Sequence, residues 1–75
     1  MNILSRRRRN ISMAINAFRS AGYEASLVNG DVIAGSSTIP PSVLGDMVCF
    51  GLAAQDRVEG KRTIYKLTSE GNSFV

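Results

Sequence analysis

One cysteine, Cys49, and no histidine leave this chain of 75 residues nothing with which to staple a fold. An intrachain disulfide needs two thiols, and a structural zinc site needs more thiolate and imidazole ligands than are present. A single hydrophobic core must carry the structure, near the smallest size at which one suffices. Pairing with a second copy would enlarge that core, so a homodimer is consistent with the length. The lone thiol suits a reducing cytoplasm, with Cys49 expected as a small core or interface residue.

Net charge is +3, and its placement says more than its sum. Residues 1–20 hold five arginines and no acid, residues 21–56 hold four acids and no base, and residues 57–75 hold four bases and two acids. Positive ends around an acidic middle favour a polyanion met from two sides, or an acidic protein surface. No apolar run approaches a membrane span. Ser5-Arg6-Arg7 is only loosely like a twin-arginine signal, because Ser12 and Asn16 interrupt the apolar stretch after it. A soluble, cytoplasmic protein is expected.

Ile11, Ala14, Ile15, Phe18 and Ala21 recur at three- and four-residue spacing and predict an amphipathic helix. Asn10 can cap its start and Gly22 suits its end. A start at Ser5 would set four arginines against the positive helix end, so residues 1–9 are expected as a flexible basic arm. Residues 10–75 then form one domain.

Tyr23 to Thr38 supports two readings. Asn29-Gly30 between Ala25–Val28 and Asp31–Ala34 is a hairpin signal. The same residues can instead make a short strand and a stunted helix over Asp31–Gly35. Pro40-Pro41 opens the next helix, with Thr38 or Ser42 as capping oxygen and Leu44, Met47, Val48 and Gly51 or Leu52 buried. Ser42, Gly45, Asp46, Cys49 and Phe50 fall on its outer side, with Phe50 expected to pack beneath the first helix. A strand, a tight turn at Glu59-Gly60 and a strand over Thr63–Thr68 follow. Tyr65 and Leu67 share the core side of that strand, Ile64 and Lys66 the other. Thr68 can cap a last turn from which Phe74 and Val75 pack back.

A helix ending in Gly51-Leu52, a basic hairpin, and Tyr65-x-Leu67-Thr68-x-x-Gly71 together resemble the end of winged helix-turn-helix regulators of the MarR-like and PadR-like kinds, over residues 38–71. The resemblance implies an α+β winged-helix domain: a first helix, a short strand with a helix or a hairpin, a recognition helix and a β-hairpin wing. It implies a partner, double-stranded DNA, and a role as transcriptional regulator or accessory DNA-binding factor. The arm Arg6, Arg7, Arg8 and Arg9 would track phosphates or enter a minor groove, and Arg19 would extend that patch. Thr38, Ser42 and Asp46 would supply groove contacts, and Arg57, Lys61, Arg62 and Thr63 the wing contacts. The basic arm and small size are reminiscent of phage and mobile-element proteins.

The recognition-helix region departs from the pattern. It carries no arginine, lysine, asparagine or glutamine on its outer side, and those are the residues that read guanine and adenine. This favours an alternative, a protein-interaction module whose basic ends grip an acidic partner while Cys49 and Phe50 face outward. RNA is a weaker candidate, because aromatic residues do not interleave with the basic ones. Catalysis is not expected: imidazole is absent, no two carboxylates form a recognisable acid/base pair, and Gly30 and Gly35 lack the lysine and spacing of a phosphate-binding loop. No cofactor, metal or small-molecule ligand is implied.

Overall fold

Helix α1 spans Ile3–Ser20, and the chain then runs β1 Glu24–Val28, β2 Asp31–Ala34, β3 Ser37–Ile39, α2 Pro41–Cys49, β4 Ala53–Glu59, β5 Arg62–Leu67 and α3 Ser69–Asn72. This computed structural model describes residues 3–74, with side-chain surroundings from Arg7 onward. The expected phosphate contact of the Arg6 side chain and the packing of Val75 lie outside the described residues. The five strands form one antiparallel sheet in the order β3-β2-β1-β5-β4.

The flexible arm is corrected, because residues 3–9 are helical. Nothing in Ile3–Ser20 breaks a helix, leucine and arginine are good formers, and Arg7 finds a carboxylate on α2. Asn10 therefore lies inside the helix and does not cap it. Ile11, Ala14, Ile15 and Phe18 are buried as their spacing predicts. Gly22 and Tyr23 take positive φ at the end of α1, and the Tyr23 amide donates to the Phe18 carbonyl at 2.7 Å. This closure turns the chain directly into β1.

The hairpin reading of residues 23–35 holds, and the stunted helix does not form. Asn29 (φ 52°) and Gly30 (φ 81°) occupy the left-handed positions that a two-residue hairpin needs. Ser37–Ile39 then add a third strand, so a meander separates α1 from α2. No second helix forms across a short turn before α2, which removes the helix-turn-helix pair.

Facing partners in an antiparallel sheet share a side. Ile39, Val32, Leu27 and Thr63 make one row across the sheet, and Ala25 and Tyr65 lie on the same side. That side meets α1 and α2, and Phe18, Ile15, Met47 and Val32 are its most deeply buried side chains. Fully burying a side chain of this kind contributes roughly 1.5–3 kcal/mol. Val43 and Leu44 join Met47 in the buried face of α2, whereas Val48, expected inside, is 43% exposed. Neither Thr38 nor Ser42 caps α2: Pro40 takes the cap position with no side-chain hydrogen bond, and Thr38 belongs to β3.

Among the described residues, no helix covers the opposite side of the sheet. Thr38, Ile33, Ser26, Ile64 and Arg57 form a row across it. Ile64 is only 4% exposed yet stands apart from the main core cluster. The Arg57 side chain accounts for this, reaching from β4 across β5 to Glu24 on β1.

Candidate nucleic-acid interface

The residues expected to meet DNA are divided by the fold according to what already occupies them. Arg57 follows a β-bulge between Gln55 and Arg57 that turns Asp56 toward the same guanidinium. Its Nη1 lies 3.0 Å from Glu24 and its Nε 2.6 Å from Glu59, with Asp56 also on Nη1. Glu24 is held below the usual carboxylate range by the hydrogen bond from Arg57, and Arg57 is raised by its bonds to Glu24, Glu59 and Asp56. Lys66 adds a contact of 3.7 Å to Asp56. With three carboxylates upon it, Arg57 is engaged within the fold. No local pattern marked Glu24 as its partner, since the two meet only through the register of β1, β5 and β4.

Arg19 is also committed. Its Nε donates to the Asn72 side-chain oxygen at 3.0 Å and its Nη2 to the Asn72 carbonyl, tying the end of α1 to the end of α3. Thr63 is half-buried inside the sheet between Leu27 and Val58. Arg62 donates to the Ser26 hydroxyl at 3.1 Å while remaining exposed. Lys61 stands at the hairpin tip beside Gly60, whose φ of 62° makes the turn.

Arg7 on α1 lies 3.6 Å from Asp46 on α2, so two expected contacts partly neutralise each other. Arg8 and Arg9 are exposed. Among the described residues, Arg8, Arg9 and Lys61 make no ion pair or side-chain hydrogen bond. Ser42 is exposed at the start of α2, and Thr38 is exposed on β3.

The C-terminal end of α2 is apolar and open. Cys49 is exposed, so of the core and interface roles expected for it the core role is excluded, and Phe50 is 55% exposed and does not pack beneath α1. The helix ends at Cys49, and Gly51 (φ 75°) turns the chain into β4 with Leu52 pointing inward in place of Phe50. Between α1, β3 and the start of α2 runs an open groove of ≈ 490 Å³, bordered by Asn10, Met13, Ala17, Ser37, Thr38 and Val43 among others. Among the described residues, no charged side chain lines it.

No group of three or more potential metal ligands occurs among the described residues, and no described helix is long and apolar enough to cross a membrane. Comparison of the chain with protein-family models, with curated proteins and with solved structures gives no match.

Proposed function

We propose that this chain is a small double-stranded DNA-binding protein, acting as a transcriptional regulator or accessory factor, that holds phosphates with the exposed arginines of α1 and the tip of the β4–β5 hairpin. The observation that carries the reading is the partition of charge. Glu24, Asp56 and Glu59 converge on Arg57, and Asp46 is drawn to Arg7. Four of the six acids are thereby engaged within the fold, while Arg8, Arg9 and Lys61 remain exposed. Cations in two separate elements that have no carboxylate among the described residues suit a polyanion. A helix running directly into a hairpin with a basic tip is also the helix-and-wing succession of the regulators that residues 38–71 resemble. In this reading the domain is a winged-helix variant in which a β-meander replaces the second helix.

The test is a fluorescence-anisotropy titration of a labelled duplex at two salt concentrations. Affinity should fall steeply with salt and fall again in the Arg8→Ala/Arg9→Ala and Lys61→Ala variants. Affinity that ignores salt, or no binding at low salt, would overturn the proposal.

The exposed run Val48, Cys49 and Phe50 favours a second reading, contact with a protein partner by the end of α2. A partner whose binding survives nuclease treatment and is lost in a folded Phe50→Asp variant would support it. Retention of the partner by that variant would count against it.

A further inference from the structure

We propose that α1, rather than α2, is the helix that enters the major groove of duplex DNA and reads its bases, an inference that rests on the DNA-binding reading above. Three observations lead to it.

Arg7, Arg8, Arg9 and Asn10 are all exposed. Four consecutive residues cover the full circumference of a helix of 3.6 residues per turn. This turn of α1 therefore stands clear of the sheet, although Arg7 reaches Asp46. A helix with its side chains is about 10–12 Å wide, which matches a major groove of about 12 Å. The exposed sides of this turn are free to enter such a groove.

Below that turn the exposed residues continue as a stripe. Arg9, Met13, Asn16 and Ser20 follow one another at spacings of four, three and four, and all are exposed. The spacing aligns them on one side of the helix, with Asn10 beside Met13 along the open groove. The helical periodicity that buries one side of α1 defines this outer side as well.

The chemistry of the stripe is what base edges require. Arginine pairs with the guanine acceptors, asparagine pairs bidentately with adenine, and an apolar group meets the thymine methyl. Arg9, Asn10 and Asn16, and Met13 at 65% exposure, supply one of each kind or more. Helix α1 contains no carboxylate to repel the duplex. Helix α2 offers Ser42, Gly45 and Cys49, and its only charge is Asp46. Beside α1 the groove of ≈ 490 Å³ carries the Ser37 and Thr38 residues of β3 on its border. Ser37 faces Ala34 on the helix side of the sheet, and its hydroxyl can donate to a phosphate strand lying along the groove wall.

The experiment is repeated selection from a duplex library with a randomised core, followed by salt titration of the selected duplex. It uses the full chain, the Asn10→Ala/Asn16→Ala variant and the Ser42→Ala/Asp46→Asn variant. All four positions are on the surface, and alanine is the better helix former, so the asparagine variant should fold and its circular dichroism should match the parent. The parent should enrich a sequence containing adenine. The asparagine variant should keep the parent's salt dependence, since it loses no charge, and lose roughly ten-fold in discrimination at an adenine. The α2 variant should keep the preference and gain affinity, because Asp46→Asn releases Arg7.

A preference untouched in the asparagine variant and lost in the α2 variant would overturn the inference. Salt-dependent binding with no preferred sequence would overturn it too, and both results would leave the DNA-binding reading standing. Absence of salt-dependent binding to any duplex would overturn both.

Discussion

Gly71 in α3 lies directly against the backbone of Leu52. A Cβ at position 71 would collide with the Leu52 carbonyl oxygen and stand 2.7 Å from a methyl carbon of Leu67. The neighbourhood cannot relax easily, because the Leu52 carbonyl also accepts from the Thr68 amide at 3.0 Å. Thr68 in turn caps α3 by accepting from the Gly71 amide and donates its hydroxyl to the Gly51 carbonyl at 2.6 Å. Gly71→Ala should therefore destabilise the domain by about 2 kcal/mol, the usual scale for overpacking a filled site. Gly45→Ala is the contrast, since a Cβ there meets nothing within 4 Å and the backbone is helical. It should be neutral or stabilise by up to about 1 kcal/mol. Urea unfolding of both variants checks this, and equal midpoints would sink the packing argument.

This junction also explains what was legible in the sequence. Tyr65-x-Leu67-Thr68-x-x-Gly71 stood out as a motif because its strand alternation and its cap are local, even though Gly71 and Thr68 also serve the distant Gly51-Leu52 backbone. Tyr65 and Leu67 pack on the core, Thr68 caps, and Gly71 leaves room. The buried face of α1 was visible for the same reason, as a periodicity within one element. The partners of Arg57 and Arg19 were not visible. The Arg57–Glu24 and Arg19–Asn72 bonds each join residues more than thirty positions apart and exist only once the tertiary fold is made, and the nearby Asp56 and Glu59 reach the same guanidinium through the bulge and hairpin geometry of β4. The start of α1 was hidden in the same way: four arginines oppose a positive helix end, and the Asp46 carboxylate that α2 brings to Arg7 arrives only with the tertiary fold.

The turn at Asn29-Gly30 admits a direct test of the hairpin. Both residues have positive φ, and Gly30 has open space around it, so strain and not collision decides its substitution. Gly30→Ala should cost about 1–2 kcal/mol. Unfolding should remain a single cooperative transition, because β2 and β3 share the one core with α1. No loss of stability would indicate that the turn relaxes to another conformation.

The ion-pair cluster on the open side of the sheet should appear in the pH dependence of stability. The hydrogen bond from Arg57 lowers the Glu24 pKa in the folded state. A carboxylate with a lowered folded value contributes stability that is complete above its unfolded pKa of about 4.3 and is lost as pH falls through the lowered folded value. Glu24→Gln removes that contribution. Between neutral pH and the acid limb, the stability curve of the variant should be flatter than that of the parent. The effect should be small and diminish with salt, since every partner is exposed to solvent. Parallel curves for the two proteins would show that Glu24 carries no linked proton.

Arg19 serves to separate structure from binding. Its two hydrogen bonds to Asn72 join α1 to α3. Arg19→Ala should lower stability by about 1 kcal/mol. It should leave the salt dependence of DNA affinity as it is, because the guanidinium is occupied within the fold. A salt slope reduced in that variant, with stability unchanged, would return Arg19 to the DNA-contacting set.

The hairpin supplies the sharpest comparison, since Arg57 and Lys61 are both cations of the same β-ribbon and only one is engaged. Each phosphate neutralised contributes about 0.9 to the slope of log affinity against log salt concentration. Lys61→Ala should reduce the slope by about that amount and weaken binding similarly across duplex sequences. Arg57→Gln removes the same formal charge four residues earlier in the chain but should leave the slope unchanged, because Glu24, Asp56 and Glu59 already balance that guanidinium. Equal slope reductions in the two variants would mean that Arg57 leaves its carboxylates to meet a phosphate, and the partition of charge within the fold would not predict the binding surface.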